Sequence, residues 1–124
     1  MAGDNYGWGP NETCSGTAPH DTNQDGPSPV LPNLYFASTI GITGDAFCDS
    51  CHLNTQSESG LFWGAVNNGN IYRVDLNNAR DDTSNSTLTT VYTDPSGGVI
   101  SLEVGPNGSI YFSDFSAIYR LTFG

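Results

Sequence analysis

Lysine is absent from this 124-residue chain, and three arginines stand against thirteen aspartates and glutamates, for a formal net charge of -10. Such a surface repels phosphate backbones and anionic headgroups, so neither a nucleic-acid nor a membrane partner is expected. Long apolar runs are missing too, and nothing approaches the length of a membrane span. Met1 leads straight into Ala2-Gly3-Asp4, without a basic n-region, an apolar h-region or a cleavage site. Helical periodicity is a further absence, because no segment keeps a 3.6-residue apolar spacing for three turns. Cysteine is scarce and odd in number, so of the three one is left over from any bridge. With only 13% charged residues, solubility falls to Asn, Ser, Thr and Gly, a habit of secreted β-proteins. An extracellular or periplasmic location is expected, with the export signal outside this chain. The odd cysteine and the missing signal both fit a piece of a longer protein.

What is present is a repeat. Leu61-Phe62-Trp63 and Ile71-Tyr72-Arg73-Val74 read as two strands joined at Asn67-Asn68-Gly69, where Asn and Gly accept the positive φ of a tight hairpin. Ile110-Tyr111-Phe112-Ser113 and Ile118-Tyr119-Arg120-Leu121 repeat the pattern, with the break at Ser116-Ala117 and the later hairpin tighter by two residues. A self-similar unit of nearly fifty residues made of short strands has the period of a β-propeller blade.

Residues 1–33 are rich in Gly, Pro, Asn, Asp, Ser and Thr, and form a long leading loop with little to pack beyond Tyr6 and Trp8. A connection of that length in a compact domain points to a functional or ion-stabilised loop. Residues 34–124 carry the strands: near Leu34 to Ala37, Ile42 to Phe47, the first hairpin, Thr87 to Thr93, Val99 to Val104 and the second hairpin. A Cys48 to Glu58 loop, a polar link from Asn77 to Asn85 and a Gly105-Pro106-Asn107-Gly108 turn lie between them.

Asn5-Tyr6-Gly7-Trp8, Ile42-Thr43-Gly44, Leu61-Phe62-Trp63-Gly64 with Gly69-Asn70-Ile71, and Gly105-Pro106-Asn107-Gly108-Ser109-Ile110-Tyr111 occur in that order. Together they resemble the C-terminal third of the glucose/sorbosone dehydrogenase family, six-bladed propellers related to soluble quinoprotein sugar dehydrogenases. The resemblance implies an all-β fold of about two blades of a six-bladed propeller, preceded by a long loop. It also implies sugar oxidation on pyrroloquinoline quinone (PQQ), a tricarboxylate that requires cationic anchors. By the same resemblance a Lys belongs at or next to Asn67, and two Arg near Gly98 and Ile100. None of these positions is basic here, and the general-base His belongs to an earlier blade, so this segment is expected not to be catalytic alone.

Three further constellations carry chemistry. Asp21-Thr22-Asn23-Gln24-Asp25-Gly26 is the opening half of a calcium loop, in which Asp21, Asn23 and Asp25 would be the side-chain ligands. The alternative is an Asx-rich turn capping its own backbone. Cys48-Asp49-Ser50-Cys51-His52 is a complete attachment motif for haem c, with two thiols for the vinyl groups and His52 as proximal ligand. Its alternatives are a loop-closing disulfide, Cys48–Cys51 or Cys14 with one of them, and a zinc site using all three cysteines and a histidine.

Trp63, Tyr72, Tyr111, Phe112, Tyr119 and Phe123 are expected to pack between blades rather than to stack sugars. Arg73 and Arg120 hold equivalent repeat positions and are expected to pair with strand carboxylates such as Asp75 and Asp114. Glu103 is the carboxylate placed inside an apolar strand. Asn11, Asn85 and Asn107 begin N-glycosylation sequons, meaningful only on a eukaryotic secretory route. Two blades on their own leave an apolar flank open, so the expected partners are the remaining propeller blades or self-association, three copies closing a ring.

Overall fold

A computed structural model describes residues 34, 36 and 38–123. The chain divides into two compact units, Met1–Thr39 and Ile40–Gly124, and the second carries all the regular structure described. Leu34 and Phe36 lie outside any strand, so the first ladder opens later than the sequence suggests, at Ile42.

Among the described residues seven antiparallel strands form two sheets. The first sheet runs in the order β1 (Ile42–Phe47), β2 (Gly60–Ala65), β3 (Asn70–Leu76) and β4 (Thr83–Thr93). The second holds β5 (Ser101–Val104), β6 (Ile110–Ser113) and β7 (Ile118–Arg120). Among the described residues the only helical element is a single 3-10 turn at Thr55–Ser57. Asn54 caps it, its Oδ1 accepting from Ser57 N at 3.0 Å and from Ser57 Oγ at 2.8 Å.

Both expected hairpins form. Six residues separate the last registered pair of the first, Gly64 and Ile71, and four separate Ser113 and Ile118 in the second, so the later hairpin is the tighter one. Gly69 takes φ 70 and lets its N–H reach the Ala65 carbonyl at 3.1 Å, which closes the first turn. The strand expected from Thr87 begins earlier, at Thr83. Asn77 closes the preceding turn, its Nδ2 donating to Asp81 Oδ1 at 2.7 Å and its Oδ1 accepting from Asp81 N at 3.1 Å. That turn returns the chain to β3 sooner than composition suggests.

The two sheets meet through their first strands, β1 against β5. The register puts Gly44, Ala46, Phe62, Gly64 and Ile71 on one face of the first sheet. Leu102 and Phe112, registered partners on the second sheet, face them. Phe62, Ile71, Val99, Leu102 and Ile110 have no solvent-exposed surface and form the core between the sheets. Gly44 and Gly64 make this approach possible: a Cβ at Gly44 would lie 2.5 Å from Leu102 N, and one at Gly64 2.4 Å from Val99 Cγ1. Two sheets packed through their innermost strands are successive spokes of a wheel rather than one sandwich, and they do not close on themselves.

Aromatic packing follows the same plan. Tyr92 meets Phe112 with ring centroids 5.2 Å apart, and Phe112 stacks on Tyr119 at 5.1 Å. On the opposite face of the first sheet Trp63 stacks on Tyr72 at 5.6 Å. Among the described residues the flank of the second sheet is mixed in character. The side of the second sheet turned away from the first carries Ser101, Glu103, Tyr111, Ser113, Ile118 and Arg120. Ile118 stands exposed on that side, and Phe115, Tyr119 and Phe123 are exposed at its loops and edge.

Candidate functional site

The sheets have two loop ends, and the sequence motifs divide between them. At one end the β2–β3 turn, the connection from Asp94 to Ile100 and the β6–β7 turn come together. Asp94 N donates to Gly69 O at 2.8 Å, Val99 N to Ala65 O at 3.3 Å, and Ile100 N to Ser113 O at 2.8 Å. A Cβ at Gly98 would stand 3.1 Å from the Val66 carbonyl and 2.8 Å from Phe115 Cε2. Asn67, Gly98 and Ile100, the positions where the family resemblance expects quinone-anchoring cations, therefore lie around one loop end.

That end holds carboxylates. Asp94 and Asp114 are both buried, each 6% exposed, and Ser96 lies between them. Its Oγ is 2.9 Å from both Asp94 oxygens and 2.7 Å from Asp114 Oδ2. The single hydroxyl proton serves one carboxylate at a time. Asp114 Oδ1 also accepts from Ser116 N at 2.7 Å, Ser116 Oγ at 2.8 Å and Ala117 N at 2.7 Å, and Tyr119 OH reaches Oδ2 at 3.2 Å. The Ser96 bond, then the Ser116 N–H, outweigh the opposing effect of burial and hold Asp114 well below the usual carboxylate range. Tyr92 nearby is pushed up, first by burial and then by the charge of Asp94.

No arginine compensates this charge. Arg73 lies on β3, bonded to Asp75 and to the Gln56 carbonyl. Arg80 covers the Phe47 ring at 4.7 Å. The expected Arg73–Asp75 pair thus forms, whereas Asp114 is claimed by hydroxyls and turn amides and leaves Arg120 without it. Glu103 is exposed, on the open face of the second sheet.

Sequence reasoning missed the Asp94–Ser96–Asp114 group, although a signal existed. Asp94-Pro95-Ser96 and Asp114-Phe115-Ser116 are the same D-x-S turn, in each of which the Asp Oδ1 accepts from the backbone N–H two residues on.

The opposite end holds the cysteine motif. Cys48 and Cys51 are joined in a disulfide and buried, the loop-closing arrangement weighed against haem and zinc. Ser50 and His52 take φ 58 and 63, a left-handed conformation uncommon for such residues. Ser50 N donates to Glu58 Oε2 at 2.8 Å. His52 Nε2 lies 2.8 Å from the Asn107 carbonyl, a contact that requires this nitrogen to carry the proton. The motif therefore ties its loop to the Gly105–Gly108 turn of the second sheet. Haem attachment would need the disulfide reduced and His52 released. Cys48, Cys51 and Glu58 are the one cluster of potential metal ligands among the described residues, and with the sulfurs bonded to each other it offers a single carboxylate. Asp21, Asn23 and Asp25, the calcium candidates, lie outside the described residues, as do Cys14 and His20.

No family model and no curated protein matches the chain. Two solved structures are similar to it. One, described as a crystal structure of glucose dehydrogenase, superposes with a TM-score of 0.65 and 25% identity over 89% of this chain and 32% of its own. A second, described as glucose dehydrogenase, gives a TM-score of 0.56 and 23% identity over 66% of this chain and 24% of its own. The chain therefore spans about a third or less of the length of these structures. It has a glucose dehydrogenase-like fold, all-β and open, corresponding to about two propeller blades of those larger proteins.

Proposed function

We propose that this chain is a structural segment of a sugar dehydrogenase-like propeller, related to the quinoprotein enzymes, that contributes blades and does not oxidise sugar alone. The observation that carries the reading is the charge at the loop end gathering Asn67, Gly98 and Ile100. Cationic anchors for a tricarboxylate are replaced there by two buried carboxylates, Asp94 and Asp114. An anion arriving at this end meets repulsion at low effective dielectric, with no guanidinium or ammonium group to offset it. What the segment supplies is packing: the closely approached β1 and β5 and the aromatic ladder of Tyr92, Phe112 and Tyr119. Its partners in this reading are the remaining propeller blades, or two further copies closing a ring. The Cys48–Cys51 disulfide supports an oxidising extracellular or periplasmic setting.

The test is an assay with PQQ, calcium, glucose and a dye acceptor, run beside quinone fluorescence quenching. No turnover and no saturable quenching are expected from the chain alone. Stoichiometric quinone binding or glucose-dependent dye reduction would overturn the proposal.

A further inference from the structure

The loop between β1 and β2 holds chemistry that packing between blades does not use. Cys48 and Cys51 are joined there, and the Glu58 carboxylate stands beside them. One ligand atom from each of these three residues lies within 4.8 Å of the other two. Both cysteines are buried whereas Glu58 is exposed, so the group has one side in the core and one open to solvent.

The backbone holds this arrangement without help from the S–S bond. Cys48 N donates to Gly60 O and Ser59 N to Cys48 O, both at 2.9 Å, which fastens Glu58 close to Cys48. The capped turn at Thr55–Ser57 brings the chain back to that point. His52 ties the other arm of the loop to Asn107. Ser50 N donates to Glu58 Oε2 at 2.8 Å and so aims the carboxylate, as ligating carboxylates are aimed by their own hydrogen bonds. A single amide leaves most of the lone-pair sites of a carboxylate open.

An ion of the zinc type takes thiolate at about 2.3 Å and carboxylate at about 2.0–2.2 Å, so tetrahedral ligand atoms stand about 3.5–3.8 Å apart. Cleaving the disulfide drives the two sulfurs out to van der Waals contact, which is close to that separation. Glu58 is already within reach of both. Two thiolates and a carboxylate also supply the negative charge that such a cation requires.

We propose that the reduced chain binds one thiolate-preferring divalent cation, of the zinc type, through Cys48 Sγ, Cys51 Sγ and the Glu58 carboxylate. Water fills the fourth position, and His52 stays on Asn107. Disulfide and metal are then alternative closures of one loop. An external dithiol converts the first into the second. It is oxidised to its own disulfide as Cys48 and Cys51 become thiols, and the cation then displaces both thiol protons to solvent.

The test uses the full chain carrying Cys14→Ser, so that the third cysteine takes no part. The protein is reduced with a strong dithiol, freed of it without oxygen, and titrated with cobalt and then zinc. Sulfur-to-cobalt charge transfer and the intense visible bands of a tetrahedral ion are expected at one equivalent, and zinc should bleach them. The oxidised chain should show neither. Loss of a group that only orients a ligand costs about 10–100-fold in metal affinity, so Glu58→Gln, which can keep the Ser50 bond, should weaken binding at least about tenfold. His52→Gly, which accepts the positive φ, should leave affinity unchanged. Circular dichroism in the same titration distinguishes binding to a folded chain from zinc-driven refolding, and either supports the site. Absence of both, equal binding by the oxidised chain, or full affinity in Glu58→Gln would overturn the proposal. A loss in His52→Gly as large as that in Glu58→Gln would overturn the three-ligand assignment.

Discussion

Gly44→Ala and Gly64→Ala test the packing of the two sheets most directly. With no clash, replacing a strand glycine by alanine stabilises by roughly 0.5–1 kcal/mol, because the unfolded chain loses freedom. Here the added methyl groups meet the neighbouring sheet. At Gly44 the new Cβ would lie 2.5 Å from Leu102 N and 2.9 Å from Leu102 O, both backbone atoms of β5. Neither atom can turn aside, so relief requires the strands to separate. Overpacking of this kind costs about 1–3 kcal/mol, or about 10 °C in melting temperature for a body of this size.

Gly64→Ala meets Val99 Cγ1 at 2.4 Å and Cβ at 3.1 Å, a side chain whose χ1 is stiff. Its cost should be similar but curable. Val99→Ala alone removes about 2 kcal/mol through lost burial and a cavity. In the Gly64→Ala, Val99→Ala double variant the methyl groups exchange places, and the two costs should fall short of additivity by about 1–2 kcal/mol. Gly44→Ala should gain no such relief from Val99→Ala. Urea midpoints of the three single and two double variants measure these differences. A Gly44→Ala protein as stable as its parent, or equal rescue of both alanines by Val99→Ala, would refute the innermost-strand contact and the wheel geometry with it.

Three other outcomes are expected. Asp114 titrates below its unfolded value, so its contribution is present above the ordinary carboxylate pKa and is lost as pH falls toward the folded one. Melting temperature should therefore drop from about pH 5 downward, and Asp114→Asn should flatten that acid limb while leaving the neutral region nearly parallel to it. Reduction of Cys48–Cys51 should release two thiols only on unfolding or strong reductant, since both sulfurs are buried. Because the closed loop is short, it should destabilise by no more than about 2 kcal/mol. If Asp21, Asn23 and Asp25 hold calcium, chelation should lower the melting temperature of the parent and leave Asp25→Asn unmoved; identical responses in both would remove the site.

The strands were legible in the sequence because their determinants are local. Ile42 to Phe47, bounded by Gly41 and Cys48, forms β1 with the expected bounds. The repeated arms around Trp63 and Tyr111 likewise announce two copies of one hairpin. The loop end was not legible, because its chemistry arises from side chains far apart in the chain. Ser96 and Asp114 lie eighteen residues from one another and meet only when β6 returns beside the Asp94 turn. The cysteine motif shows the opposite failure. Five residues with the spacing of a haem site are used to pin a loop, through the disulfide and the His52–Asn107 contact, and no local pattern separates those uses.

Fold and chemistry come apart here for a physical reason. The determinants of the fold lie in strands, at Gly44, Gly64, Leu102 and Phe112, where any enlargement is felt by the facing sheet. The positions that would carry quinone anchors lie in turns, where side chains change without disturbing the ladders. Asn67 is exposed and Ile100 is 37% exposed, so both could carry a long cation at little cost. Gly98 could not, because a Cβ there would press on Phe115 at 2.8 Å and on the Val66 carbonyl at 3.1 Å. A side chain at Gly98 would therefore require the 114–117 turn to move, which would strain the bond that ties Asp114 to Ser96. The acidic turn network and a cationic cofactor cradle compete for the same space, and in this chain the network occupies it.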